Sequence, residues 1–388
     1  MTDKTETRKL VGEILKEIID EARSGGGRKT TVGLMAHGSE HGSEELVKGA
    51  VLAMKNNPSI KVRPIGPKLE GYEELDWIET EADEHAIAKA MEDALADGSI
   101  SGAVALHYPF PVGVTTIGKV VTPAKGTPCF IASSTGTSAV ARLEAMLRNA
   151  IYGIAAAKAD GIKNPRVGVL NLDGAQTVLR SLQKLADAGY DITFGESIRA
   201  DGGAILRGND LLAGAVDVAV MDTLTGNVMM KLFGAWSTGG NYEAAGWGYG
   251  PSAGEGWNKV VSIVSRASGA PVIANALSLN AAAAKNNLPR IVAEELSKAK
   301  KAGLDDIIAS LQPKPAKADE EDVKAPAAEP TDDEIHGVDV LEIEDAVKSL
   351  WKAGIYAESS MGCTGPVIKY AAHNADKVKE ILVANGYL

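Results

Sequence analysis

Val216-Asp217-Val218-Ala219-Val220-Met221-Asp222-Thr223-Leu224-Thr225-Gly226-Asn227-Val228-Met229-Met230-Lys231 runs from an apolar strand into a hydroxyl-rich, glycine-containing turn and on into a helix. The same unit recurs outward in both directions. Strand-like runs fall at Thr31–Ala36, Val62–Ile65, Ala103–Leu106, Pro128–Ala132, Val167–Leu170 and Pro271–Ala274. Helical spacing falls at about Glu44–Lys55, Glu81–Ala96, Val140–Ala159, Gln176–Ala188 and Leu288–Lys301. A further amphipathic helix, Leu10 to Ala22, is ended by Gly25-Gly26-Gly27. Strands alternating with helices predict an α/β fold: a mostly parallel sheet with helices on both faces. Ligands in such folds sit beyond the C-terminal strand ends, so the turns after strands are where chemistry is expected.

The chain has 388 residues, 45% hydrophobic and 23% charged, with formal net charge -11 and no Lys/Arg cluster. Nucleic-acid binding draws its affinity from neutralising phosphates and is excluded on charge. No apolar run approaches the ~18 residues of a membrane span, and no targeting signal is recognised, so a cytoplasmic location is expected. Two cysteines, Cys129 and Cys363, are too few for a disulfide scaffold or a zinc site. His37 and His41 have a helical metal-pair spacing, but Gly38, Ser39, Gly42 and Ser43 favour a loop. No dinucleotide fingerprint or Walker loop is present. Residues 313–335 are rich in Pro, Ala and acids and form a linker. It separates a core, 1–312, from a small α-rich extension, 336–388. In that extension Val338–Lys352 has helical spacing, and Gly354–Ser360 is a candidate strand.

Three turns carry candidate chemistry. Met361-Gly362-Cys363-Thr364-Gly365-Pro366 precedes the last helix, with Pro366 at its first position. A thiol at a helix start has a lowered pKa, and Gly362, Thr364 and Gly365 supply open backbone. Two readings stand: a reactive thiol, or a packed cysteine in a helix cap. His373 falls about 10 Å along that helix and is no base for Cys363. Ser133-Ser134-Thr135-Gly136-Thr137-Ser138, after the Pro128–Ala132 strand, suits phosphate at a helix start; a plain N-cap accounts for it equally. Asp222, Thr225, Gly226 and Asn227, with Lys231 one turn on, form a second anion loop able to converge with the first. Cys129 lies in an apolar strand and is expected to be packed. Gly239–Gly250 is a glycine–aromatic loop suited to a lid or a protein-binding surface. His107 ends a strand and is placed to line the cleft.

Gly208–Val228 resembles the signature of the phosphate acyltransferases of phospholipid synthesis, and Pro165–Asn171 resembles a second block of that family. The resemblance covers roughly residues 30–310. It implies a three-layer α/β/α fold like that of phosphotransacetylases and isocitrate-type dehydrogenases, and acyl transfer between thioester and phosphate. Glu358–Pro366 is foreign to those enzymes and resembles the C-terminus of the component C alpha subunits of glycine, sarcosine and betaine reductases. That family implies a hetero-oligomer with a beta subunit, and a carboxymethyl group delivered by the selenoprotein component A. It implies an acetyl thioester on Cys363 and release as acetyl phosphate, with inorganic phosphate as substrate and no bound cofactor. Two rivals are kept: a stand-alone acyl-carrier-protein:phosphate acyltransferase, and a scaffold subunit without chemistry.

Overall fold

The computed structural model describes residue 12 and residues 29–200, 202–311, 323–339, 342–362 and 365–388. The expected first helix, Leu10 to Ala22, lies outside these residues except for Gly12. The core runs β1 (Thr30–Met35), α1 (Ser43–Asn56), β2 (Ile60–Gly66), β3 (Ile78–Glu79), α2 (Glu84–Ala96), β4 (Gly102–Ala105), β5 (Val114–Val121), β6 (Pro128–Thr137), α3 (Arg142–Ala159), β7 (Arg166–Leu170) and α4 (Ala175–Asp187). It continues with β8 (Thr193–Phe194), β9 (Ile205–Leu206), α5 (Gly208–Ala213), β10 (Val218–Val220), α6 (Thr223–Ala235), β11 (Gly250–Gly254), β12 (Val261–Ile263), α7 (Ala270–Lys285), α8 (Leu288–Lys301) and α9 (Leu304–Leu311).

The strands form one 12-stranded sheet in the order β3-β2-β1-β4-β12-β11-β5-β6-β10-β7-β8, with β9 beside β7. Helices cover both faces, as the alternation predicts. Side chains alternate along each strand. Val218 and Val220 of β10 therefore join the cluster under α3, α4 and α8, while Ala219 joins the opposite cluster with α2 and α6. On the β1 half, Val32 and Leu34 pack against α1 and α7.

The sheet departs from the parallel expectation at its centre. Strands β5 and β11, which the helix–strand alternation did not contain, pair antiparallel with β6 and β12 and with each other. Three antiparallel steps reverse direction between the two halves. β1, β4 and β12 therefore run opposite to β6, β10 and β7, and the two sets of C-terminal ends lie on opposite edges. His107, after β4, is consequently on the edge away from the β6 and β10 turns.

Pro271–Ala274, expected as a strand, is the first turn of α7. Pro271 sits where a helix needs no N–H, and Val272, Ile273, Ala276 and Leu277 recur on one helical face and are buried.

The C-terminal unit is less helical than expected. It contains β13 (Asp333–His336), α10 (Ile343–Lys352), β14 (Ala357–Gly362), β15 (Gly365–Tyr370) and α11 (Ala375–Ala384). The strands form an antiparallel sheet in the order β13-β15-β14, so three residues assigned to the linker, Asp333 to Ile335, belong to the folded unit. The predicted helix from Pro366 is a strand instead. Val367, Ile368 and Tyr370 are β-branched or aromatic and are buried, a composition that favours a packed strand over a helix. Pro366, near the start of β15, is where a strand tolerates a missing N–H. The last helix begins at Ala375, so the helix-start role given to Gly362 and Gly365 does not hold: both are strand ends, paired with each other.

Candidate functional site

β6 begins as a continuous apolar run because it is buried on both faces and flanked by β10 and β5. Cys129 lies in this run, 2% exposed. Burial pushes its thiol up to about 12, with the Asp217 carboxylate adding to the shift. It is a packed cysteine, as expected.

The register of β6 against β5 then slips. Ile117 pairs with Ala132, but Thr116 pairs with Thr135, so Ser133 and Ser134 are extra residues in a bulge. Bulges re-aim side chains and bend a strand. Ser133–Thr137 thus lie within the strand, not in a helix-start loop as expected; α3 begins only at Arg142.

The bulge is where the two predicted loops meet. Beside it, β10 ends and Asp222 caps α6, accepting from the Thr225 N–H at 3.0 Å and from the Thr225 hydroxyl at 2.9 Å. The Thr223 and Ser133 hydroxyls are 2.9 Å apart, and Asn227 Nδ2 donates to the Ser134 carbonyl at 3.0 Å. Gly226 makes this approach possible: a Cβ there would lie 1.7 Å from the Ser133 carbonyl oxygen. The convergence predicted from two separate stretches is therefore present.

The roles within it differ from those expected. Ser133 and Ser134 are fully buried. Ser133 contacts the Thr115 hydroxyl, and Ser134 lies 2.8 Å from the Thr116 hydroxyl and donates to the Tyr249 carbonyl at 2.6 Å. Their hydroxyls hold the bulge together. Thr135, Gly136, Thr225 and Asn227 are partly exposed or at the margin of the site. Lys231 is the ninth residue of α6, roughly 12 Å along its axis, rather than one turn in. Its ammonium lies 5.6 Å from the centre of the Tyr249 ring.

Two arginines were missed. Arg142, the first residue of α3, donates to Asp222 Oδ2 at 3.2 Å. Burial raises the Asp222 carboxyl, but the Thr225 hydrogen bonds and Arg142 outweigh it and hold it below the usual carboxylate range. Arg148, one and a half turns on, is bound by Glu144 at 2.9 Å and Glu255 at 3.2 Å. It lines a cavity of about 540 Å³ with Ser138, Ala139, Val140, Ala141, Tyr152 and Gly113. In sequence both arginines look like surface charges on a helix; only the fold brings Arg142 to Asp222 and Arg148 to Glu255.

The glycine–aromatic loop is pinned rather than lid-like. Tyr242 donates to Glu45 at 2.7 Å, the Lys119 ammonium lies 4.3 Å from the Trp247 ring centre, and Tyr249 is buried. Asp210, in the sequence signature, is structural: it is buried and accepts from Ser197 and from the N–H groups of Ile198 and Arg207. Among the described residues no group of three or more His, Cys, Asp or Glu is placed to hold a metal. Among them, too, no helix is long and apolar enough to cross a membrane.

Cys363 and Thr364 lie outside the described residues. The strands on either side pair as far as Gly362 and Gly365. This frame withdraws the helix dipole as a source of thiol activation.

The chain matches the fatty acid synthesis protein family over residues 30–369. It is 51% identical over 380 residues to the glycine/sarcosine/betaine reductase complex component C subunit alpha of Peptoclostridium acidaminophilum, covering 97% of this chain and 98% of that one. It is 28% identical over 228 residues to the phosphate acyltransferase of Thermotoga petrophila, a match spanning 50% of this chain and 64% of that enzyme. A branched-chain phosphotransacylase structure from Enterococcus faecalis V583 superposes with a TM-score of 0.46 and 17% identity, covering 65% of this chain and 98% of that one.

Proposed function

Because the chain belongs to the fatty acid synthesis protein family, on the branch of the reductase component C alpha subunits, we propose that it forms acetyl phosphate by phosphorolysis of an acetyl thioester carried on Cys363. Component A of the reductase complex supplies the two-carbon unit as a carboxymethyl selenoether; a second thiol gives the two electrons that cleave the C–Se bond as a selenide–sulfide forms, and the carboxyl carbon joins the Cys363 sulfur with loss of water. A beta subunit completes component C. A phosphate oxygen attacks the thioester carbonyl. The C–S bond breaks, its electron pair leaves with the Cys363 sulfur, and acetyl phosphate departs.

The observation that carries this reading is the meeting of the β6 bulge with the first turn of α6, beside Arg142. Phosphate there would contact Thr135, Gly136, Thr225 and Asn227 at the positive end of the α6 dipole. It would draw Arg142 away from Asp222, whose carboxylate keeps its hydrogen bonds from Thr225. Ser133 and Ser134 set the shape of the site without touching the ligand. Lys231 adds long-range positive charge. Amide N–H groups at the start of α6 are suited to an oxyanion, a stabilisation worth about 3–4 kcal/mol in known enzymes. Cys129 does not compete for the acetyl group, being buried with its thiol pushed up.

The test is a reconstituted complex given carboxymethyl-loaded component A with a labelled carbon. Label should appear on the peptide containing Cys363 when phosphate is omitted, and in acetyl phosphate when it is added. A Cys363→Ala protein that still makes acetyl phosphate refutes the assignment, and label confined to the beta subunit makes this chain a scaffold.

A further inference from the structure

The C-terminal unit meets the core through a polar knot centred on one cation. Arg180, in the second turn of α4, donates to the carbonyls of Gly337 at 2.9 Å and Tyr387 at 3.0 Å, and to Glu342 Oε2 at 2.7 Å. It also donates to its own helix neighbour Thr177 at 3.2 Å, and the Thr177 hydroxyl lies 3.4 Å from the same Glu342 oxygen. One guanidinium thus joins three separate stretches of the C-terminal unit: the end of β13, the start of α10 and the chain terminus.

No apolar core spans this junction among the described residues. The unit's buried cluster, which includes Ile343, Leu350, Ile368, Tyr370, Val378 and Leu382, contains only its own residues. The buried clusters of the core include none from beyond residue 311. An interface without shared apolar burial lacks the main driving force for permanent association. What remains is a set of hydrogen bonds to a charged group, each worth about ten- to a hundredfold in an equilibrium. The unit has its own core, and Glu329 and Asp332, which accept from Asn374 and from the Ala372 N–H, already belong to it.

The place of docking is informative. α4 starts at Ala175, just beyond the end of β7. β7, β10 and β6 run parallel, so the docking face, the Asp222 turn and the Ser133–Ser134 bulge share one edge of the sheet. α4 and α3 are closely joined there: a Cβ on Gly174 would lie 2.2 Å from Leu143 Cδ2.

We propose that Arg180 is a positioning residue that reversibly docks the C-terminal unit on the phosphate edge of the core and frees it to travel when the knot opens. The consequence for catalysis rests on the acetyl-Cys363 reading; the docking itself does not. Docked, the unit offers its acyl group to phosphate. Released, it takes a new one from a partner. The separate apolar core and the polar knot are what this alternation needs.

The experiment uses full-length Arg180→Ala, Arg180→Lys and Glu342→Gln proteins. Small-angle scattering reads the overall dimensions, and limited trypsin digestion reads cleavage between residues 312 and 332. Arg180→Ala should enlarge the radius of gyration and lower the docked-to-free ratio at least about tenfold. Glu342→Gln, altered on the other side of the knot, should shift in the same direction, and Arg180→Lys, which keeps a cation but loses the fork, should be intermediate. On protein acetylated from acetyl phosphate, Arg180→Ala should slow phosphorolysis at saturating phosphate with the phosphate KM unchanged. Wild-type compactness and digestion in both Arg180→Ala and Glu342→Gln overturn the docking role. Release without a slower turnover overturns the positioning role. An active Cys363→Ala protein would remove the acetyl-Cys363 reading and leave the scattering result to stand alone.

Discussion

Replacing Gly226 by alanine tests the central geometric feature of the site. In an isolated helix the change would help, by about 1 kcal/mol. Here the new Cβ would sit 1.7 Å from the Ser133 carbonyl oxygen, a backbone atom held by the bulge. Neither partner can rotate away, so the first turn of α6 must lift. Lifting it breaks the Asn227 bond to the Ser134 carbonyl and the Thr223–Ser133 pair. Each is worth about 1 kcal/mol, and leaving the buried Ser133 hydroxyl with fewer partners adds roughly 1–3 kcal/mol. The helix gain offsets part of this, leaving a net loss of about 2–4 kcal/mol. That corresponds to a fall in Tm of roughly 4–8 °C by calorimetry. Acetyl phosphate formation should fall by about a hundredfold, since displacements near 1 Å cost that much. A Gly226→Ala protein with unchanged or raised Tm and normal turnover would refute both the close approach and its role in shaping the phosphate site.

Two further outcomes follow from the same geometry. Asp222→Asn keeps an oxygen for the α6 cap but loses the pairing with Arg142, and should cost about 1 kcal/mol or less. The Asp222 carboxyl is held low in the folded protein, so its contribution is fully present above its unfolded pKa of about 3.9 and is lost as pH falls through the folded value. The Tm gap between wild type and Asp222→Asn should therefore be constant near neutrality and close below about pH 4; a gap that widens on acidification contradicts the assignment. Ser134→Ala leaves the Tyr249 carbonyl and the Thr116 hydroxyl short of a partner and should destabilise by about 1–3 kcal/mol. The phosphate KM of the fraction that folds should stay within about twofold; a much larger rise would make Ser134 a phosphate ligand after all.

The sequence alone determined the layered α/β architecture, because strand and helix periodicities are local and each parallel strand must be buried on both faces. Val216–Met221 is legible as a strand leading through a turn to a helix from residue types alone, but the helix starts at Thr223, inside the stretch expected to be the turn. The sequence also singled out the two stretches that meet, although the first proves to be the end of β6 itself and not a loop beyond it. The packed state of Cys129 was legible from its apolar neighbours.

Tertiary structure decided the rest. The antiparallel strands β5 and β11 reverse the sheet and send His107 to the other edge, and strand direction is a property of pairing that no short segment carries. Ser133 and Ser134 look like phosphate ligands in sequence, but a register slip against β5 turns them inward and spends their hydroxyls on Thr115, Thr116 and Tyr249. Arg142 gains its role from a residue 80 positions away. Gly362 and Gly365 were placed at a helix start because Pro366 suits one, but Val367–Tyr370 had a sheet to pair with, and pairing won. Arg180 is indistinguishable in sequence from any solvated helix charge; what sets it apart is three acceptors from residues 337, 342 and 387. A local pattern specifies what an element is, whereas the partner of a side chain is set by which distant elements the burial of apolar surface brings beside it.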